Sequence, residues 1–140
     1  HYTYSEVPYD RWWQALTGRT FNEIFGWQRN HFDRLVHFSY GLLTTVICVE
    51  ILLRNVRGFT GVWRWLVPFA FISSHGMFYE LIEWLAADLF GGELGDAYLG
   101  TQGDIWDAHK DMLLASLGSA ITLTWMAANG RLPANSTATQ

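Results

Sequence analysis

Cysteine is almost missing from this chain. Cys48 is the single one in 140 residues, so no internal disulfide can form and no CxxC redox or metal pair exists. Its neighbours Val46, Ile47 and Val49 mark it as a small core or lipid-facing residue. There is no glycine-rich phosphate loop, no nucleophile elbow and no internal repeat, which removes P-loop chemistry, serine-hydrolase chemistry and solenoid architectures. Positive charge is also short: 9 Lys and Arg stand against 13 Asp and Glu, a net charge of −4, whereas nucleic acid demands a basic surface. The sequence opens on His1 without a signal peptide and reads as a piece of a longer chain with a further membrane segment upstream.

What is present is apolar and aromatic. Half the residues are hydrophobic, 16 % are aromatic and eight are Trp. The apolar residues gather in three blocks, at 31–53, 62–89 and 107–129, each able to cross a bilayer that needs about 20 mostly apolar residues. The fold expected is therefore all-α, an integral membrane helical bundle of three transmembrane helices, with a soluble bundle of fully buried helices as the alternative. Pro68 near the start of the second block is tolerable, because neighbouring helices can satisfy the freed carbonyl. Ala115, Ser119 and Thr122 form a stripe of small residues suited to close helix contact.

Ahead of these blocks, residues 11–28 interleave Trp12, Trp13, Leu16, Phe21, Ile24, Phe25 and Trp27 with Arg19, Asn22 and Glu23. That pattern predicts an amphipathic helix or hairpin at headgroup level, interrupted at Gly18 and Gly26. Residues 1–131 form one membrane domain in this scheme, and residues 132–140 a polar, disordered tail.

Charge sets an orientation. Arg54, Arg57 and Arg64 flank the first connection, and Arg131 follows the third block, whereas the second connection carries Glu93 and Asp96 without Lys or Arg. The positive-inside rule places the arginine loop in the cytoplasm. Arg11, Arg19 and Arg29 run against that rule.

Three antiparallel spans bring three polar sets to one depth. The first set is His31, Asp33, Arg34, His37 and Tyr40; the second is His75, Tyr79, Glu80 and Glu83; the third is Asp104, Asp107 and Asp111. A carboxylate in hydrocarbon costs at least ~2.5–3.5 kcal/mol, so such residues face a bundle interior or a watery cavity and mark functional sites. Asp33 and His37 are four apart, so the carboxylate can orient the imidazole. Asp107 and Asp111 are candidate proton acceptors or metal ligands, with Glu80 and Glu83 facing them and His37, set by Asp33, as the acid/base partner. As ligands to a divalent metal ion, the candidates are Asp107, Asp111, Glu80, Glu83, His31 and His37. Carboxylates and imidazoles from several helices suit a bundle site, although the Glu-x-x-His pair of di-metal proteins is missing.

Structural alternatives stand beside these. Asp104 to Asp111 also suits a helix N-terminus, where acids offset the dipole. Glu80 and Glu83 can pair with Arg34 or Lys110 in an ion network, and Glu50 with Arg54 at a spacing of four. His31 and His37 can each be an interfacial or hydrogen-bonded residue.

The segments from His1 to Pro8, from Arg29 to Phe38, from Tyr79 to Trp84 and from Gly100 to Asp107 resemble, in order, the YjdF-like family of bacterial inner-membrane proteins. That resemblance implies a multi-pass inner-membrane topology with further hydrophobic sequence upstream, and assigns no chemistry. Glu80 to Glu83, a loop, and Asp111 to Gly118 are more distantly similar to VanZ-like membrane proteins, which are linked to glycopeptide resistance and the cell envelope. Ala115 stands where that pattern has Asn.

Three functions fit these observations: an enzyme on an envelope or lipid-headgroup substrate, a non-catalytic accessory or scaffold subunit, and an ion- or proton-coupled carrier. The partners implied are the lipid bilayer and other membrane subunits or further copies of this chain, with no nucleic acid.

Overall fold

A computed structural model describes residues 4–92, 95 and 99–132. Glu93, Asp96, the tail from 133 and the first three residues of the family-like motif lie outside the described residues. Every regular element among those described is helical: a short 3-10 turn at Tyr4–Glu6, then α1 (Tyr9–Thr17), α2 (Phe21–Phe25), α3 (Phe32–Asn55), α4 (Trp63–Phe90) and α5 (Asp107–Ala128).

The aromatic segment is a helical hairpin. Gly18 and Gly26 end α1 and α2 in the left-handed conformation, where a side chain would be strained. Thr20 and Glu23 cap α2 reciprocally, and Asp10 accepts from the Phe21 amide at 2.5 Å, tying α1 to the start of α2. Phe21 stacks on Trp13 and on Phe25, and Trp27 stacks on Phe25, which leaves Trp12, Leu16 and Phe25 exposed as an apolar face.

The three long helices are built inside out. On α3 the buried residues are Asp33, His37, Gly41, Thr45 and Val49, one every four residues, while Leu43, Ile47 and Ile51 face outward. On α5 the inward face is Asp107, Asp111, Ala115, Gly118, Ser119, Thr122, Leu123 and Met126, and Leu113, Leu117, Ile121 and Trp125 point away. Polar and small residues inside with large apolar residues outside is the arrangement hydrocarbon rewards, since lipid gives no drive to hide a leucine. Helices α3 and α5 are long and apolar enough to cross a membrane. Helix α4 has the length, but Arg64, His75, Glu80 and Glu83 dilute its apolar run.

Helices α3 and α5 run parallel and make the main interface, with α4 antiparallel against both. The small residues set the spacing. A Cβ on Gly41 would collide with the Ala115 carbonyl, and one on Gly118 with the Phe38 carbonyl. Thr122 Oγ1 donates across the interface to the Leu42 carbonyl at 2.8 Å, and Thr45 donates back to Gly41 at 2.7 Å. Ser73 and Ser116 join α4 to α5 at 2.9 Å. Pro68 is buried within an unbroken α4. The bundle is graded along its axis. An apolar core of Val49, Leu123, Met126 and Leu132 fills the end that carries Arg54, so the folded body includes Leu132. The charged residues gather at the other end.

Candidate functional site

The starts of α3 and α5 and the last turns of α4 meet at that polar end, as three antiparallel elements require. The acids divide there into two groups with different partners.

The outer group is neutralised by cations. Arg34 Nη2 lies 2.6 Å from Asp104 Oδ2 and 3.2 Å from Asp107 Oδ1. Arg29 Nη1 reaches Asp107 Oδ1 at 2.7 Å and Asp104 Oδ2 at 3.4 Å, and Lys110 Nζ reaches Asp104 at 2.6 Å. The Lys110 ammonium, then the Trp106 amide, holds the Asp104 carboxyl well below the usual carboxylate range. Arg29 also donates to the Thr101 carbonyl at 3.1 Å, while Asn30 and Gln102 exchange backbone–side-chain bonds of 2.9 Å each way. These contacts clamp the segment before α3 to the loop before α5. His31 belongs to this group: its Nδ1 is 3.1 Å from Arg34 Nη1 and its ring packs on Trp27.

Among the described residues, no lysine or arginine is hydrogen-bonded or ion-paired to the inner group. Asp111, one turn below Asp107, is 1 % exposed, and Asp33, His37 and Glu83 are similarly buried. His37 Nε2 lies 3.5 Å from Asp33 Oδ1 on its own helix and 3.2 Å from Glu80 Oε1 on α4. Apart from the His37 ring, Asp33 Oδ1 and Glu80 Oε1 have no hydrogen-bond partner among the described residues, and Asp111 Oδ1 is buried with none. Glu83 faces Asp33, His37 and Asp111 electrostatically, with Tyr79 one turn away. Four carboxylates therefore share one imidazole.

His37 also opens onto a cavity of about 230 Å³ between α3 and α4, walled by Tyr40, His75, Gly76, Tyr79 and Tyr4. The Tyr79 ring meets His37 edge-on, its hydroxyl bonds Tyr4 at 3.0 Å, and Tyr40 bonds His75 Nδ1 at 2.7 Å. Phenol and imidazole rings thus line this cavity between α3 and α4.

The family described as "Predicted membrane protein (DUF2238)" matches residues 1–131. The chain belongs to that family. It is 41 % identical over 128 residues to the protein named "Inner membrane protein YjdF" of Escherichia coli (strain K12), a match covering 90 % of this chain and 56 % of the relative. The chain thus spans little more than half the length of that relative. No solved structure matches. Family membership, the inner-membrane relative and the apolar helices identify an inner-membrane protein in contact with the lipid bilayer.

Of the residues singled out from the sequence, Asp33, His37, Glu80, Glu83 and Asp111 come together. Asp107 and His31 are held in the arginine network one turn outward. Glu50 stands at the far end, 3.4 Å from Arg54. Arg29, Asn30 and Gln102 had no assigned part in the sequence reading. The signals for them are that they lie in two family-like motifs, which the fold places side by side, and that Arg29 runs against the positive-inside rule.

Proposed function

We propose that α3, α4 and α5 each cross the inner membrane, with the arginine loop after α3 in the cytoplasm and the inner acid group in the extracytoplasmic half. We infer further that this group is the reactive centre of an enzyme acting on an envelope or lipid-headgroup substrate. The observation that carries this reading is the set of buried carboxylates gathered around His37 next to the α3–α4 cavity, with Asp111 Oδ1 left without a hydrogen-bond partner. A cluster kept for packing alone would have its charges paired, as the Asp104–Asp107 group does. His37, backed by Asp33 and faced by Glu80, and Asp111 are the groups placed to meet a substrate. Glu83 supports them. Asp107 anchors α5 to the arginines and is not among the reacting groups.

The test is complementation in a bacterium lacking its native copy, with the envelope lipid profile measured by mass spectrometry. Asp111→Asn and His37→Gln should fail to restore the profile while accumulating normally in the membrane, and Glu50→Gln should restore it. Full restoration by Asp111→Asn would favour the second reading, a scaffold subunit, which the paired outer network supports.

A further inference from the structure

We propose that Asp33, His37 and Asp111, with Glu80 as a fourth ligand, hold one divalent transition-metal ion. This rests on reading the inner group as the reactive centre and assigns to it the ion that does the work. Ligand-capable atoms of Asp33, His37 and Asp111 all lie within 4.8 Å of one another. Around His37 Nε2, the Asp33 and Glu80 oxygens stand at 3.5 and 3.2 Å. Ligands about 2.0–2.2 Å from a tetrahedral ion sit roughly 3.4 Å apart; the two pairs at His37 have that spacing, and an oxygen of Asp111 lies within 4.8 Å of Asp33 and His37.

Asp111 supplies an independent observation. Its carboxylate is 1 % exposed, faces this group and keeps one oxygen without a partner. A bare carboxylate oxygen at membrane depth requires a proton, a water or a cation. The nearest guanidinium, that of Arg34, is taken up by Asp104 and Asp107. A dication offsets two of the shared negative charges at once, which one imidazole cannot do. Carboxylates with a single imidazole suit manganese or zinc. Magnesium and calcium favour all-oxygen shells, and copper(I) and iron–sulfur clusters need thiolates. With the ion in place, His37 serves as a ligand. Glu83, buried beside the group, would then be the carboxylate without a ligand role, and His37 the ligand that borders the α3–α4 cavity.

The experiment uses the full chain, purified in detergent, stripped with a chelator, and incubated with Mn²⁺ or Zn²⁺ alone before desalting and elemental analysis. About one ion per chain should be retained, with at least a tenfold loss of affinity in Asp111→Asn and His37→Gln. His31→Gln and Glu50→Gln should bind as the parent does. Should either ligand variant fail to accumulate, pulsed EPR of the Mn²⁺-loaded parent labelled with ¹⁵N-histidine decides, because a directly bound imidazole gives a nitrogen coupling. Absence of that coupling, no retained ion in the folded parent, or unchanged binding by Asp111→Asn would overturn the proposal. A metal-free protein whose Asp111→Asn variant still fails complementation would overturn the metal alone and leave the reactive centre standing.

Discussion

His37 Nε2 on α3 and Glu80 Oε1 on α4 stand 3.2 Å apart, both buried, although α3 and α4 make far less contact with each other than α3 makes with α5. The two helices that touch least are therefore linked at the polar centre, beside the cavity that gives the centre its opening. What holds the centre in place lies elsewhere, in the packing of α3 on α5.

That packing depends on two positions without side chains. Gly41→Ala would drive a methyl into the Ala115 carbonyl, and Gly118→Ala into the Phe38 carbonyl. Neither neighbour is a flexible side chain, so each variant should lose at least about 1–3 kcal/mol, read as a lower midpoint in SDS titration of the folded protein. Gly76→Ala is the control, since its added Cβ would sit an ordinary 3.5 Å from Ala115 Cβ. A destabilised Gly76→Ala beside an unaffected Gly41→Ala would contradict the parallel α3–α5 interface.

The topology predicts opposite labelling for two exposed positions. In a Cys48→Ala background, Phe90→Cys should react with an impermeant maleimide added to intact spheroplasts, and Val56→Cys only after the membrane is opened. Reaction of both from the same side would remove the three-span arrangement. The reverse pattern would invert the orientation and keep the spans.

Much of this was legible in the sequence because helical periodicity and span length fix depth. The four-residue step from Asp33 to His37, the small stripe on α5 and the common level of three polar sets all follow from counting residues. Counting does not show which neighbour a side chain faces. Asp107 and Asp111 share a helical face, yet one turn separates a carboxylate held by two arginines from one held by none. Arg29 opposes the positive-inside rule until its partners are seen: its charge is taken up by Asp107 and Asp104. Helix α4 has no uninterrupted apolar run of span length because His75, Glu80 and Glu83 break it, and two of these are the centre's carboxylates.

Acidification should loosen the outer clamp in a readable way. The Asp104 carboxyl is held below its ordinary range by Lys110 and the Trp106 amide, so the unfolded chain takes up its proton at higher pH than the folded one. Its stabilising contribution is complete above the ordinary carboxylate pKa of about 3.9 and is lost as pH falls below it towards the depressed folded value. Melting temperatures measured from pH ~6 down to ~3 should drop less steeply for Asp104→Asn than for the parent. Parallel curves would show that Asp104 carries no such linkage.

The central claim, that the inner acids form a reactive centre rather than a structural ion network, is tested most directly by the melting temperature of chelator-treated protein carrying Asp111→Asn or Asp107→Asn. Asp107→Asn takes a charged acceptor from Arg29 and Arg34 and should cost about 1.5–3 kcal/mol. Asp111→Asn removes one of four carboxylates crowded on a single imidazole, so the metal-free variant should melt at or above the parent temperature while losing function. A fall in melting temperature for Asp111→Asn as large as that for Asp107→Asn would contradict the account.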